Sequence, residues 1–317
     1  MQADAVVFHN PKSLSVQPLQ LAEPGPGEIE VEVEYSGIST GTERLLWDGS
    51  MPPFPGMGYP LVPGYESVGR VKRAGPATSY EVGQRVFVPG AKCFQDVRSL
   101  FGASASSLVV PESRTVAVQD DLKANAVLLA LAATAYHAVA GGGKRDPVHA
   151  PDLIVGHGVM GRLLARMTVA AGAPAPTVWE TSPHRMSGAL GYTVMQPHED
   201  SRRDYQAIYD VSGDSAILDS LICRLAPGGE VVLAGFYSQP LNFSYAPAFM
   251  REAQIRAAAE WKRADLLAVT ELAHSGRLSL TDLITHQQGP SRASAAYDVA
   301  FGDPLCLKMI LDWSANA

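Results

Sequence analysis

The segment Asp152-Leu153-Ile154-Val155-Gly156-His157-Gly158-Val159-Met160-Gly161-Arg162-Leu163-Leu164-Ala165-Arg166-Met167 decides the fold of this 317-residue chain. A short apolar run ends in Gly156-x-Gly158-x-x-Gly161, and apolar side chains recur after it at helical spacing, which predicts strand, tight turn and helix. Such a turn can hold a pyrophosphate. Gly156 permits the bend, Gly158 lets backbone N–H groups approach an anion, and Gly161 lets the helix pack closely on the strand, while the helix N-terminus adds partial positive charge. His157, Val159 and Met160, between the glycines, are expected to contribute to the same cofactor contact.

Glu180 closes a second apolar run, Thr177-Val178-Trp179, nineteen positions beyond Gly161. A carboxylate there would accept hydrogen bonds from the adenosine ribose hydroxyls and repel a 2′-phosphate, so the expected cofactor is NAD rather than NADP. Ser182, His184 and Arg185 follow closely and could hold a phosphate; Arg185 reads rather as lying against the adenine face. The alternative is a glycine-rich turn in an α/β core that binds no nucleotide.

Outward from this unit, the length suits two domains. A net charge of −7 and the lack of a basic run argue against a nucleic-acid partner. No apolar stretch approaches bilayer length, and Met1-Gln2-Ala3-Asp4 offers no basic region ahead of its apolar run, so a cytoplasmic protein is expected. Cys93, Cys223 and Cys306 are isolated in sequence, which gives neither a disulfide framework nor a zinc spacing; they read as buried or half-buried thiols.

Residues 1–122 carry short alternating runs separated by Pro-Gly breaks. In Glu28-Ile29-Glu30-Val31-Glu32-Val33-Glu34-Tyr35 the acids share one face and the apolar residues the other, a half-buried strand; 5–8, 66–71, 85–88 and 107–110 read as strands too. A helix is predicted over 123–139. Beyond it strands at 153–155, 177–179, 207–211, 230–234 and 254–259 alternate with helices that include 215–225 and 264–274, the pattern of a doubly wound parallel sheet. The tail 276–317 holds short elements and ends in an apolar run at 307–311.

A β-rich front, a nucleotide-binding α/β unit and a returning tail resemble the zinc-type medium-chain dehydrogenase/reductase family. The matching stretches are Ser36-Gly37-Ile38-Ser39, Pro63-Gly64-Tyr65-Glu66-Ser67-Val68-Gly69, Val82-Gly83-Gln84-Arg85-Val86, Ala133-Thr134-Ala135-Tyr136-His137-Ala138, the glycine motif, Asp210-Val211-Ser212-Gly213 and Leu283-Ile284-Thr285-His286. The resemblance implies a GroES-like catalytic domain over 1–122 and 276–317, an NAD-binding Rossmann domain over 123–275, cofactor contacts from Thr134 and Ser212, and a homodimer formed along the segment 254–261. His137 has two readings, a structural partner or a proton carrier.

Zinc-bearing members carry cysteine where Ser39 stands, histidine where Tyr65 stands and cysteine or an acid near Ala130, so no metal is expected here. The stretches 36–47 and 51–66 are similar to a zinc-free branch that acts on bacteriochlorins. That resemblance implies oxidation of a 3-(1-hydroxyethyl) group to 3-acetyl on a chlorin or bacteriochlorin tetrapyrrole, with NAD as hydride acceptor, in an enzyme peripheral to photosynthetic membranes. Without a metal, proton handling falls to Ser39 and Tyr65, with Thr40, Thr42 and Glu66 as a possible relay; Tyr65 would need a lowered pKa to serve as base. Glu43 and Arg44 read as a structural ion pair. Trp47, Met51, Phe54, Met57 and Tyr59 have the character to stack on a flat macrocycle, or they pack a loop onto its own domain. Two further readings stand: a zinc-free quinone or enone reductase, and a nucleotide-binding protein without catalysis.

Overall fold

A computed structural model describes residues 1–53, 55–142 and 148–314. The chain divides into two compact units, Met1–Ala130 with Leu280–Ala317, and Leu131–Ser279.

In the first unit β1 (Gln2–Asn10) and β2 (Ser13–Gln20) form an antiparallel hairpin. The larger sheet is built around β3 (Glu28–Ile38), with β4 (Ser67–Ala74), β5 (Arg85–Val88), β6 (Ser107–Pro111) and β7 (Val116–Ala117). β3 pairs with β4 over most of its length and with β6 through Glu28–Glu32. Its apolar positions Ile29, Val31 and Val33 are buried as the alternation requires. The acidic face is covered in part: Glu30 is buried against Arg73 and Ser107 and Glu34 pairs with Arg85 and Arg70, while Glu32 stays exposed beside Lys72. A helix with no counterpart in the sequence reading, α1 (Thr42–Asp48), follows β3 directly.

The helix expected over 123–139 has two parts, a tight turn Asp120–Leu128 with a left-handed break at Lys123, and α2 (Leu129–Val139). Taken together, Asp120–Val139 is long and apolar enough to cross a membrane by length and composition, contrary to the expectation from sequence. With 56% of that apolar window buried inside the protein, its character is that of a core helix.

The second unit is one parallel sheet of β8 (Leu153–Val155), β9 (Thr177–Trp179), β10 (Thr193–Met195), β11 (Tyr205–Asp210), β12 (Leu225–Leu233) and β13 (Gln254–Ala257), in the order β10-β9-β8-β11-β12-β13. Around it run α3 (Val159–Ala170), α4 (Leu218–Ile222), α5 (Tyr245–Met250) and α6 (Arg263–His274). α4 is shorter than the helix read over 215–225, because β12 already begins at Leu225. Strand order reverses between β8 and β11, and in such sheets ligands bind beyond the carboxyl ends of those strands. Gly156 follows one and Asp210 ends the other.

The tail returns to the first unit through β14 (His286–Gln288), α7 (Ala293–Gly302) and β15 (Met309–Asp312), and β15 lies antiparallel on the last residues of β3. Cys306 is buried and Cys93 half-buried, but Cys223, at the end of α4, is exposed rather than sequestered.

The turn after β8 is too tight for a side chain at Gly161, where a Cβ would stand 1.8 Å from the Gly156 carbonyl oxygen. Gly161→Ala is therefore expected to lower stability by roughly 2–4 kcal/mol in urea unfolding.

Candidate active site

The glycine turn has the geometry its sequence demands. Gly156 adopts φ +103°, and Gly158 is the last non-helical residue before α3, so the first N–H groups of that helix face the end of β8. His157 is fully buried: its Nδ1 contacts the Arg185 carbonyl at 2.6 Å and its Nε2 the Tyr192 hydroxyl at 2.8 Å. Burial lowers its pKa to about 4, so the ring is a neutral strut rather than a charge for the phosphates. Val159 is buried and Met160 half-buried behind the turn. Arg162 donates to the carbonyls of His157, Ser187 and Gly188 and so fixes the segment that carries Arg185. The Arg185 guanidinium lies 3.9 Å from the point where a Gly158 Cβ would stand, beside the turn itself.

Glu180 closes β9 and is 8% exposed. Its Oε1 accepts from the amides of Thr181 and Ser182 at 2.7 Å, and its Oε2 from the His157 amide at 3.0 Å. The carboxylate is thus held rigidly against the glycine turn, with acceptor capacity left on Oε2. Ser212 follows Asp210, whose carboxylate receives the Ser212 amide at 2.9 Å and the Tyr237 hydroxyl at 2.7 Å. Thr134 is half-buried on α2. The cradle of bare backbone N–H groups, the space reserved by absent Cβ atoms and the anchored carboxylate fit a dinucleotide.

In the first unit two of the residues at the family's metal-ligand positions, Ser39 and Tyr65, meet. Ser39 follows β3 and is 4% exposed; the Tyr65 hydroxyl donates to its Oγ at 2.5 Å, and the Thr42 hydroxyl bonds the same phenol. Ser39, Tyr65 and Thr42 form a row of three hydroxyls running to the half-buried start of α1. Burial, reinforced by the Glu66 charge, pushes the Tyr65 phenol well above its ordinary range. This corrects the expectation of a tyrosine base, since a phenol so placed keeps its proton. Thr40 makes no side-chain hydrogen bond to the row among the described residues; Thr42 occupies that position.

Behind the row lies a feature that sequence reasoning missed. Lys308, just before β15, is 1% exposed; its Nζ donates to Glu66 Oε2 at 2.6 Å and to the Ile38 carbonyl at 3.3 Å. Gly37 makes room for the pair, because a Cβ there would stand 2.2 Å from Glu66 Oε2. Glu66 Oε1 is buried without a hydrogen-bond partner among the described residues. Burial raises the Glu66 pKa and Lys308 opposes the rise. The donors present do not fit zinc: a serine hydroxyl, a phenol that holds its proton and a carboxylate already bound to an ammonium. Among the described residues no three His, Cys, Asp or Glu side chains gather as a metal site.

Glu43 corrects a second expectation. It is 1% exposed and turns inward, where its Oε2 accepts the Ser39 amide at 3.1 Å and its Oε1 the Tyr297 hydroxyl, instead of pairing with the exposed Arg44. Burial pushes its pKa up to about 7, against the hydrogen bonds from Tyr297 and Ser39.

Of the loop proposed for a macrocycle, Trp47 is buried in the core with its ring 5.4 Å from Phe8 and 5.8 Å from Tyr297, so it is not a free stacking surface. Tyr59 donates its hydroxyl to the Leu46 carbonyl, and Met51, Met57 and Tyr59 pack half-buried on the same core. Phe54 lies outside the described residues. In the second unit His137 bonds Asp265 through Nδ1 at 2.8 Å, a tie between α2 and α6.

The profile of the alcohol dehydrogenase GroES-like domain matches residues 25–120. The 2-desacetyl-2-hydroxyethyl bacteriochlorophyllide A dehydrogenase of Cereibacter sphaeroides is 55% identical over 322 residues and covers 100% of both chains. The protein of the same name from Rhodobacter capsulatus is 54% identical and covers 99% of both. Among solved structures, acetophenone reductase from Geotrichum candidum in complex with NAD superposes with a TM-score of 0.82 at 18% identity, covering 100% of this chain and 98% of its own. At that identity the likeness is one of fold.

Removing one member of a buried ion pair strands the other. Lys308→Met is expected to lower stability by roughly 3–5 kcal/mol, and Lys308→Met with Glu66→Gln to regain most of it in urea unfolding.

Proposed function

The chain belongs to the medium-chain dehydrogenase/reductase family, and within it we propose that this protein oxidises the 3-(1-hydroxyethyl) group of a bacteriochlorophyllide to 3-acetyl, with NAD and without catalytic zinc. The substrate class follows from the activity for which the relatives at 55% and 54% identity over essentially the full length are named. The observation that carries the chemistry is the Ser39–Tyr65 hydroxyl pair, at 2.5 Å, standing where zinc-bearing members hold their metal ligands.

When bound, NAD supplies the hydride acceptor. The glycine turn, the N-terminus of α3 and Arg185 would hold its pyrophosphate, and Glu180 its adenosine ribose, where a 2′-phosphate would meet a fixed carboxylate; Thr134 and Ser212 belong to the same reading. Oxidation also requires the substrate hydroxyl to lose a proton. Ser39 Oγ can accept it while passing its own to Tyr65, Tyr65 passes one to Thr42, and Thr42, half-buried at the start of α1, passes one to solvent, because hydroxyl protons rotate between the two senses. Each hydroxyl is neutral before and after, so a phenol of raised pKa suits the relay although it cannot store the proton. Glu66, held by Lys308, sets the field behind it.

The same reading takes residues 1–122 with 276–317 as the catalytic domain and 123–275 as the NAD-binding domain. It makes the protein a homodimer through β13, the edge strand of its sheet, which exposes Ile255. Three unpaired cysteines suit the reducing cytoplasm, and a pigment substrate suits a position peripheral to photosynthetic membranes.

The deciding assay mixes metal-stripped protein with NAD and 2-desacetyl-2-hydroxyethyl bacteriochlorophyllide A, following reduced-nicotinamide fluorescence and the pigment's long-wavelength band. Both signals should change together, with the band moving to the red as the acetyl group joins the conjugated ring. Cofactor binding without a pigment change, or turnover only on adding zinc, would refute the reading. Ser39→Ala and Tyr65→Phe should each lower kcat by roughly a hundredfold with the Kd for NAD unchanged.

A further inference from the structure

The relay described above does not explain why a second acid is buried beneath it. Glu43 lies in the first turn of α1, is 1% exposed and spends both oxygens inside the protein: Oε2 on the Ser39 amide at 3.1 Å, Oε1 on the Tyr297 hydroxyl from α7. Tyr297 is itself fully buried and hydrogen-bonded to Ser104, so the partner is fixed from a second side. A carboxylate is expensive to bury, and among the described residues this one is hydrogen-bonded to no ammonium or guanidinium, feeling Lys308 only at a distance, whereas Glu66 close by is bound to Lys308 directly. A glutamine would bridge the same two elements at lower cost. Retention of an ionisable group here points to a use for its charge.

We propose that Glu43 is the positioning residue of the proton relay, its carboxylate fixing the Ser39 backbone and supplying the negative charge that draws the substrate proton onto Ser39 and Tyr65. The inference deepens the dehydrogenase reading of the same site and rests on it. Two contacts define the mechanism. The Ser39 amide bond sets where Ser39 Oγ meets the Tyr65 hydroxyl, and the charge beneath raises the proton affinity of the phenol, to which Glu43 contributes alongside Glu66. The groups facing Glu43 are Tyr297 from α7, Ser39 at the end of β3, Tyr65 and Glu66 ahead of β4, and Lys308 ahead of β15. Of these Tyr297, Ser39 and Lys308 favour the ionised form, and burial together with Glu66 opposes it.

The sign of the pH dependence follows. With its pKa raised from 4.5 to about 7, Glu43 is protonated below neutrality and charged above it, so the relay is driven only on the alkaline side. Turnover should rise with pH through a limb near 7. Tyr297→Phe removes a donor that stabilises the charged form, which should move the limb upward.

The test uses the full chain with NAD and the hydroxyethyl pigment, measuring kcat and kcat/KM from pH 5.5 to 9.5 together with the Kd for NAD and Tm. Glu43→Gln is expected to abolish the limb and lower kcat at alkaline pH roughly ten- to hundredfold, with the Kd unchanged, and Glu43→Asp to restore a limb and part of the rate. Should Glu43→Gln fail to fold, the upward limb in Tyr297→Phe still decides the matter. A Glu43→Gln protein with the parent rate and limb, or a Tyr297→Phe limb that stays in place, would overturn the proposal. So would a rate loss that follows Tm alone. A parent chain that never turns over would instead remove the dehydrogenase reading and this inference with it.

Discussion

The buried pair between Lys308 and Glu66 is the constraint on which the first unit depends. Neither charge could be taken out of water alone, and at 2.6 Å each makes the other tolerable. The pair joins the turn before β4 to the residue before β15, so the tail is tied to the β-rich front by a contact spanning 242 positions. Gly37 is part of the same device, because any side chain there would enter the space of the carboxylate. A second tie, between Tyr297 and Glu43, spans 254 positions and anchors the start of α1 to α7. With both in place, Ser39 and Tyr65 are set between two fixed acids, and the hydroxyl pair inherits its geometry from the tail.

The two acids differ in how their charge is held. Glu66 meets an ammonium directly; Glu43 receives only a phenol and an amide and is therefore the more easily neutralised. Environments that separate like groups in this way divide their roles, one acting as a fixed element of the field and the other as the group that responds to pH. Lys308 brings a positive charge into this buried region, matched by Glu66 as its own counter-ion. That arrangement holds geometry, and an ammonium, unlike zinc, offers no Lewis acidity.

What sequence could and could not disclose follows from distance along the chain. The glycine turn is local: strand, Gly156-x-Gly158-x-x-Gly161 and helix are sixteen consecutive residues, and Glu180 stands one strand away, so turn, helix and carboxylate were all legible. Ser39 and Tyr65 were marked out by the family's ligand positions, and their hydroxyls do meet. Lys308 and Tyr297 were not, since their partners lie at the other end of the sequence and nothing local marks either. Glu43 was misread because Arg44 adjoins it; on a helix consecutive residues point to different faces, and here one faces the core and the other water. For Trp47 the second of the two readings, packing onto its own domain, is the one the structure shows. An aromatic residue beside prolines and glycines suggests a loop surface, whereas it lies on the buried side of α1, against Phe8 and Tyr297.

On the proposed reading, a hydroxyl relay stabilises a forming alkoxide less than a metal does, and this bears on the substrate. Zinc contributes several kcal/mol to stabilising an alkoxide, which lets an enzyme draw hydride from an ordinary secondary alcohol. Three neutral hydroxyls over two buried acids can accept a proton but add little positive charge at the oxygen. The remaining barrier must then fall through the alcohol itself. A hydroxyethyl group on a conjugated macrocycle has that property: charge developing at the carbinol carbon spreads into the ring, and the ketone formed is conjugated with it. A polyol carbon has no such relief. On the proposed reading, loss of the metal therefore narrows the reaction to alcohols activated by their own π system, and the pocket need not carry the whole burden of selectivity.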